Sequence, residues 1–158
     1  MALELDVQIA VEDDQDALPS FDNMECWARS ALDSGHPDAQ LTIRLVTIAE
    51  MTGLNETYRH HSGPTNVLSF PFAKPELTDP PLLGDIVICP QRVVDEACAQ
   101  DKPVRDHWAH LVVHGVLHLL GYDHEREDDA AQMESREVEI LAGLGIRDPY
   151  FPEQQALE

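Results

Sequence analysis

The chain has 158 residues, enough for one domain with a real hydrophobic core. Hydrophobic residues make up 43% of it, ordinary for a soluble protein, and no apolar run approaches the roughly 20 residues of a membrane span. The 30 acidic residues against 10 basic ones give a formal charge of -20. That charge opposes non-specific binding to nucleic acid, where affinity comes mainly from Lys and Arg at phosphates. An RNA substrate would need a local basic site or delivery by a partner.

In chain order, Met1 to Asp6 lacks the basic region and long apolar core of a signal peptide, so a cytoplasmic protein is expected. Leu5, Val7, Ile9 and Val11 alternate with other residues, the pattern of a half-buried strand. A polar loop at Asp13–Asp16 follows. Met24, Trp27, Ala28, Ala31 and Leu32 fall at helical spacing between Ser20 and Leu32, and Asp33 to Pro37 closes that helix. Leu41, Ile43 and Leu45 predict a second strand. Thr47 with Glu50 three residues on is a capping-box pattern opening a short helix, with Met51, Leu54 and Tyr58 on its buried face. His60 to Pro64 reads as a loop and Val67 to Phe70 as a third strand ended by Pro71.

The stretch from Pro71 to Pro81, with prolines at Pro71, Pro75, Pro80 and Pro81, is a loop. Gly84 to Cys89 is a fourth strand. Pro90 opens a helix through Gln100, because a missing N–H costs nothing in a first turn. Pro103 starts the next helix. From Val104 to Leu120 that helix is largely apolar and is read as the buried central one. The acidic run Glu125 to Asp129 suits a helix N-terminus, and Met133, Val138, Ile140, Leu141 and Leu144 face inward. The tail, about residues 148–158, is expected to pack loosely. Strands one to three, joined by helices, can run parallel, while strands three and four, joined by a loop, pair antiparallel. The fold expected is α+β: a single domain over residues 1–158, a small four-stranded mixed sheet packed with about five helices, and a metal site at the end of the central helix. Cys26, Cys89 and Cys98 are odd in number and far apart; they are read as buried reduced thiols and not assigned to the metal.

The metal site rests on His114, His118 and His124. Residues four apart share a helix face, so His114 and His118 can reach one ion. Gly121 suits the helix end, after which the chain can turn back and bring His124 to the same ion. Three histidines leave a fourth position for water, the pattern of a catalytic rather than a structural zinc. The spacing also matches metzincin proteases, but their general base, the Glu after the first His, is here Gly115, which disfavours a metzincin-like metalloprotease. His107 and His110 share the helix but not this spacing. Trp108, Tyr122 and the Phe70–Phe72 edge sit at apolar positions that suit the core rather than a stacking surface.

The run from His114 to His124 closely resembles the signature of the YbeY family of bacterial endoribonucleases, the rRNA maturation factors. The resemblance continues through Leu54-Asn55, Tyr58-Arg59, Pro64 to Phe72, Leu83 to Ile86, Glu139-Ile140-Leu141 and Asp148-Pro149-Tyr150, spanning about residues 41 to 150. It implies a metal-dependent, single-strand-specific RNase acting in 16S rRNA 3′-end maturation and ribosome quality control. It also implies one zinc ion on His114, His118 and His124 and a functionally important Arg59. A guanidinium suits that role, since phosphodiester attack builds charge on phosphate oxygens. Catalysis is assigned to Arg59 and His114, with metal-bound water attacking the phosphodiester. Asp85 and Asp123 are candidates for proton transfer or for orienting a histidine. Many relatives carry an acidic residue and a lysine after the arginine, and some have Asp at the position of Asn66. Here the loop reads His60-His61-Ser62-Gly63; either histidine could donate a hydrogen bond to phosphate, but solvated loop histidines are the preferred reading. Single-stranded rRNA is the expected substrate, and the small ribosomal subunit or ribosome-associated proteins the expected partners, with no membrane and no organic cofactor. The other class considered is a ribosome-biogenesis binding factor with a mainly structural zinc.

Overall fold

The computed structural model describes residues 2–11, 18–32, 38–63, 65–122 and 127–150. Its strands are β1 (Ala2–Ile9), β2 (Asp38–Leu45), β3 (Val67–Pro71) and β4 (Leu82–Ile88). Its α-helices are α1 (Phe21–Ala31), α2 (Ile48–Leu54), α3 (Pro90–Ala99), α4 (Val104–Leu119) and α5 (Glu127–Gly143). The expected α+β architecture of five helices and a four-stranded mixed sheet in a single domain is what the chain forms.

The sheet order is β1-β2-β4-β3. β1 pairs parallel with β2 and β2 parallel with β4, while β3 runs antiparallel to β4 at the edge. The antiparallel hairpin of the third and fourth strands is as expected, but the third strand does not run parallel with the first two. β4, not β3, takes the place beside β2. The short connection between β3 and β4 then leaves β3 outermost and reversed. β1 begins earlier than its alternation suggested and ends at Ile9, which is 50% exposed.

Capping accounts for the helix starts. Ser20 Oγ accepts from the Asn23 N–H at 3.1 Å, and Thr47 Oγ1 accepts from the Glu50 N–H at 3.2 Å. The Glu50 carboxylate does not complete a reciprocal box; it pairs with Arg44 of β2 at 3.0 Å. The main core joins Trp27, Ala28, Leu41, Ile43, Ile86, Ile88, Trp108, Val112, Leu117, Met133 and Leu141. It lies between the sheet and α1, α4 and α5, and α4 is its centre, as its apolar run predicted. A smaller cluster of Val46, Met51, Leu68, Val87 and Cys89 fills the opposite sheet face under α2. All three cysteines are free, but only Cys89 is buried; Cys26 and Cys98 are exposed, unlike the expectation. Among the described residues no helix is long and apolar enough to cross a membrane.

Candidate metal centre

The last turns of α4 carry His114 and His118, whose rings meet edge to face with centroids 4.7 Å apart. Both are half-buried, in a stretch whose other residues from Leu111 to Leu119 are buried. The helix stops abruptly just beyond them. Gly121 has φ 104°, and the N–H groups of Gly121 and Tyr122 bond back to His118 O and Leu117 O at 3.0 Å each. That pair of bonds is a Schellman stop, and it needs a residue at ease in the left-handed region. The position after the first histidine is set by packing. A Cβ on Gly115 would lie 2.8 Å from Ile86 Cγ2, so α4 sits directly on β4 there. Ser69 Oγ of β3 also donates to Gly115 O at 3.2 Å. A glutamate at this position would point into the sheet, away from any metal the histidines hold. His124 and Asp123 lie outside the described residues.

Behind His114 stands a residue that the sequence reading passed over. Glu137 of α5 is a carboxylate with 0% exposure, at a position flanked along the helix by Met133, Ile140 and Leu141. A carboxylate can only accept, so the ring nitrogens donate to it. His114 Nδ1–H reaches Glu137 Oε1 at 2.8 Å and His110 Nε2–H reaches the same oxygen at 3.1 Å. The Tyr150 hydroxyl donates to Oε2 at 2.6 Å. Burial by itself would raise the Glu137 carboxyl. The bonds from His110 and His114, the charge of His114 and the Tyr150 hydroxyl outweigh it and hold the carboxyl at about 2. Burial and the Glu137 bond push the Tyr150 phenol upward, so it stays a donor. The start of the tail is therefore anchored, not loose: Tyr150 ties it to the site, and the Tyr150 N–H bonds Asp148 Oδ1 at 2.8 Å. Residues 151–158 of the tail lie outside the described residues.

Arg59 sits elsewhere, at the end of α2. There the helix widens into a π-helical turn, Asn55–Arg59, that ends at His60 with φ 59°. Such turns recur at functional sites. Buried Asn55 organises this one: its Nδ2 donates to Gly63 O at 2.9 Å and its carbonyl accepts from the His61 N–H at 3.3 Å. The exposed Arg59 guanidinium makes no ion pair or hydrogen bond among the described residues. The extra residue in the wide turn swings Tyr58 outward to 61% exposure, so it does not join the buried face with Met51 as expected. His60 and His61 are exposed.

Asp85 lines the sheet face opposite Gly115 and has no part in holding His114. Asn66, in the loop before β3, donates to Glu96 at 2.9 Å, and His107 donates to the same oxygen at 2.8 Å. Burial holds His107 neutral. For Glu96, burial pushes upward, but the bonds from Asn66 and His107 prevail and keep it ionised. That cluster pins the loop to α3 and α4.

The donor set suits a transition metal. His110, His114 and Glu137 place ligand atoms within 4.8 Å of one another, close enough to hold an ion. Their contacts of 2.8 and 3.1 Å are also full hydrogen bonds. In that state Glu137 fixes the tautomer of His114, with the proton on Nδ1 and Nε2 as the metal-facing nitrogen. Carboxylates commonly play this part behind a metal-bound histidine.

The solution structure of TM1509 from Thermotoga maritima superposes with a TM-score of 0.56 at 24% sequence identity, covering 92% of this chain and 99% of that one, so the two share a fold. The family model described as Endoribonuclease YbeY matches residues 8–145. The chain therefore belongs to the YbeY endoribonuclease family.

Proposed function

We propose that this protein is a zinc-dependent, single-strand-specific endoribonuclease acting in 16S rRNA 3′-end maturation and ribosome quality control. The observation that carries it is the fixed pair of imidazoles at the end of α4, with His114 locked by a buried carboxylate. His114, His118 and His124 would hold the ion. A zinc so held acts as a Lewis acid and brings the pKa of water toward about 7. Glu137 accepts the His114 Nδ1–H in a hydrogen bond and fixes the ring's direction, leaving Nε2 to face the ion. Arg59, uncommitted to any described partner, binds the scissile phosphate and offsets the charge that builds on its oxygens. Single-stranded rRNA would be the substrate, and the small ribosomal subunit or its associated proteins the means of delivery. A charge of -20 makes delivery important, because the protein as a whole repels RNA.

The test is cleavage of single-stranded rRNA by the purified protein. Loss of one such charge-stabilising donor costs about 10²–10³ in turnover. Arg59→Glu should lose at least that much while keeping its zinc, and His114→Ala should lose both zinc and cleavage. Equal cutting by wild type and both variants refutes the assignment. A protein that binds zinc and ribosomal subunits but never cuts RNA is instead a biogenesis factor with a structural metal. A metzincin-like protease is disfavoured because its base would fall where Gly115 packs on Ile86.

A further inference from the structure

The sheet face opposite α4 is only half covered. Two cross-strand rows run over it, Gln8–Arg44–Val87–Leu68 and Asp6–Thr42–Asp85–Phe70. The first row lies under α2, through the Arg44–Glu50 pair and the packing of Met51 on Val87 and Leu68. Thr42, Asp85 and Phe70 of the second row line an open cavity of about 340 Å³, bordered by Gln8, Arg44 and Val87 of the first. Tyr58 and Phe70 form one wall, edge to face with centroids 5.4 Å apart. The side chains of Thr42 and Asp85 have no hydrogen-bond partner among the described residues. Tyr58 is a large aromatic held in the open at 61% exposure, and Arg59 follows it directly in the chain.

We infer that this cavity is a base-binding subsite for single-stranded RNA, taking an unstacked base with an exocyclic amine against Tyr58 and Phe70, with Asp85 as its acceptor. The inference rests on the endoribonuclease reading above and adds where the strand is gripped. Size and lining point to a base, not a phosphate: the cavity is apolar at the wall, its one lining cation among the described residues, Arg44, is paired with Glu50 at 3.0 Å, and Asp85 is left as an unbalanced anion. A phosphate would be repelled there, whereas an aromatic face takes any base by stacking. A carboxylate accepts from the amine of cytosine and has nothing to accept from at the matching O4 of uracil. Arg59, one residue from Tyr58, then meets the backbone phosphate beside the gripped base.

The experiment is titration of the zinc-loaded full chain with cytidine and uridine monophosphates, followed by KM for single-stranded oligo(C) and oligo(U). Wild type should bind the cytidine nucleotide about tenfold more tightly, the worth of one charge-assisted hydrogen bond. Tyr58→Ala should weaken both nucleotides about tenfold and raise KM with kcat and zinc content unchanged, while Tyr58→Phe behaves as wild type. Asp85→Asn should level or reverse the preference; both side chains are exposed, so neither variant should fail to fold. Equal affinity for the two nucleotides, or binding indifferent to Tyr58→Ala, overturns the subsite. Tyr58-dependent nucleotide binding by a wild type that never cuts RNA would leave the subsite standing and remove the nuclease assignment.

Discussion

Glu137→Gln separates a positioning carboxylate from a merely buried one. The substitution keeps volume, burial and an acceptor for His114, but removes the charge from a group that takes three donors at 2.6, 2.8 and 3.1 Å. It also introduces an amide N–H₂ that cannot accept from the Tyr150 hydroxyl. A hydrogen bond to a charged group contributes about 1.5–3 kcal/mol. Loss of a partner behind a metal-bound histidine costs about 10–100-fold in metal affinity, or roughly 1.4–2.7 kcal/mol. The two independent magnitudes agree, so the zinc Kd of Glu137→Gln should rise by one to two orders of magnitude. Competition against a chromophoric chelator at fixed neutral pH measures this directly, without any cleavage assay. Tyr150→Phe, which removes one of the three donors and leaves His114 bonded, should show a smaller rise. Wild-type zinc affinity in Glu137→Gln would refute the reasoning, whatever happened to the melting temperature.

Asn55→Ala should loosen the turn that presents Arg59: about 1–3 kcal/mol of stability is lost with the bond to Gly63 O, and kcat/KM for RNA falls while zinc affinity holds. An unchanged kcat/KM would detach Arg59 from that turn. Gly115→Ala must displace Ile86 or lift α4 from the sheet, at a cost of about 1–3 kcal/mol seen in urea unfolding. No change in stability would mean α4 does not sit so close. Stability should also fall with acid. Burial lowers the His107 pKa from 6.5, so the unfolded chain takes up that proton first and the contribution is lost as pH falls below 6.5. The Glu137 contribution is present above 4.5 and is lost as pH falls from there toward about 2. Melting of the chelated protein should therefore drop in two stages, and a flat profile between neutrality and the carboxylate range would contradict the buried, neutral His107.

Local signals in the sequence carried much of this. Ser20 and Thr47 marked their helix starts because a cap is a contact between near neighbours. The apolar run of α4 marked the core for the same reason, and Gly121 marked its end. Strand order was not legible, since insertion of β4 between β2 and β3 is a choice among distant partners. Tyr58 was misplaced because its spacing from Met51 and Leu54 was counted at the α-helical period, and the π turn adds a residue. Glu137 left a signal that was readable: with Met133, Ile140 and Leu141 it falls on one helical stripe, where a carboxylate must find donors or not be ionised. The identity of those donors was not, because they come from α4 and from Tyr150.

If a metal held at the end of α4 makes this fold a ribonuclease, single-turnover cleavage of one single-stranded rRNA fragment by one preparation, first stripped of metal and then reloaded with zinc, must follow the metal. Cleavage absent from the stripped protein, restored by one equivalent of zinc and never restored in His114→Ala, is the predicted result. Cleavage that survives stripping, or that His114→Ala retains in full, would contradict it.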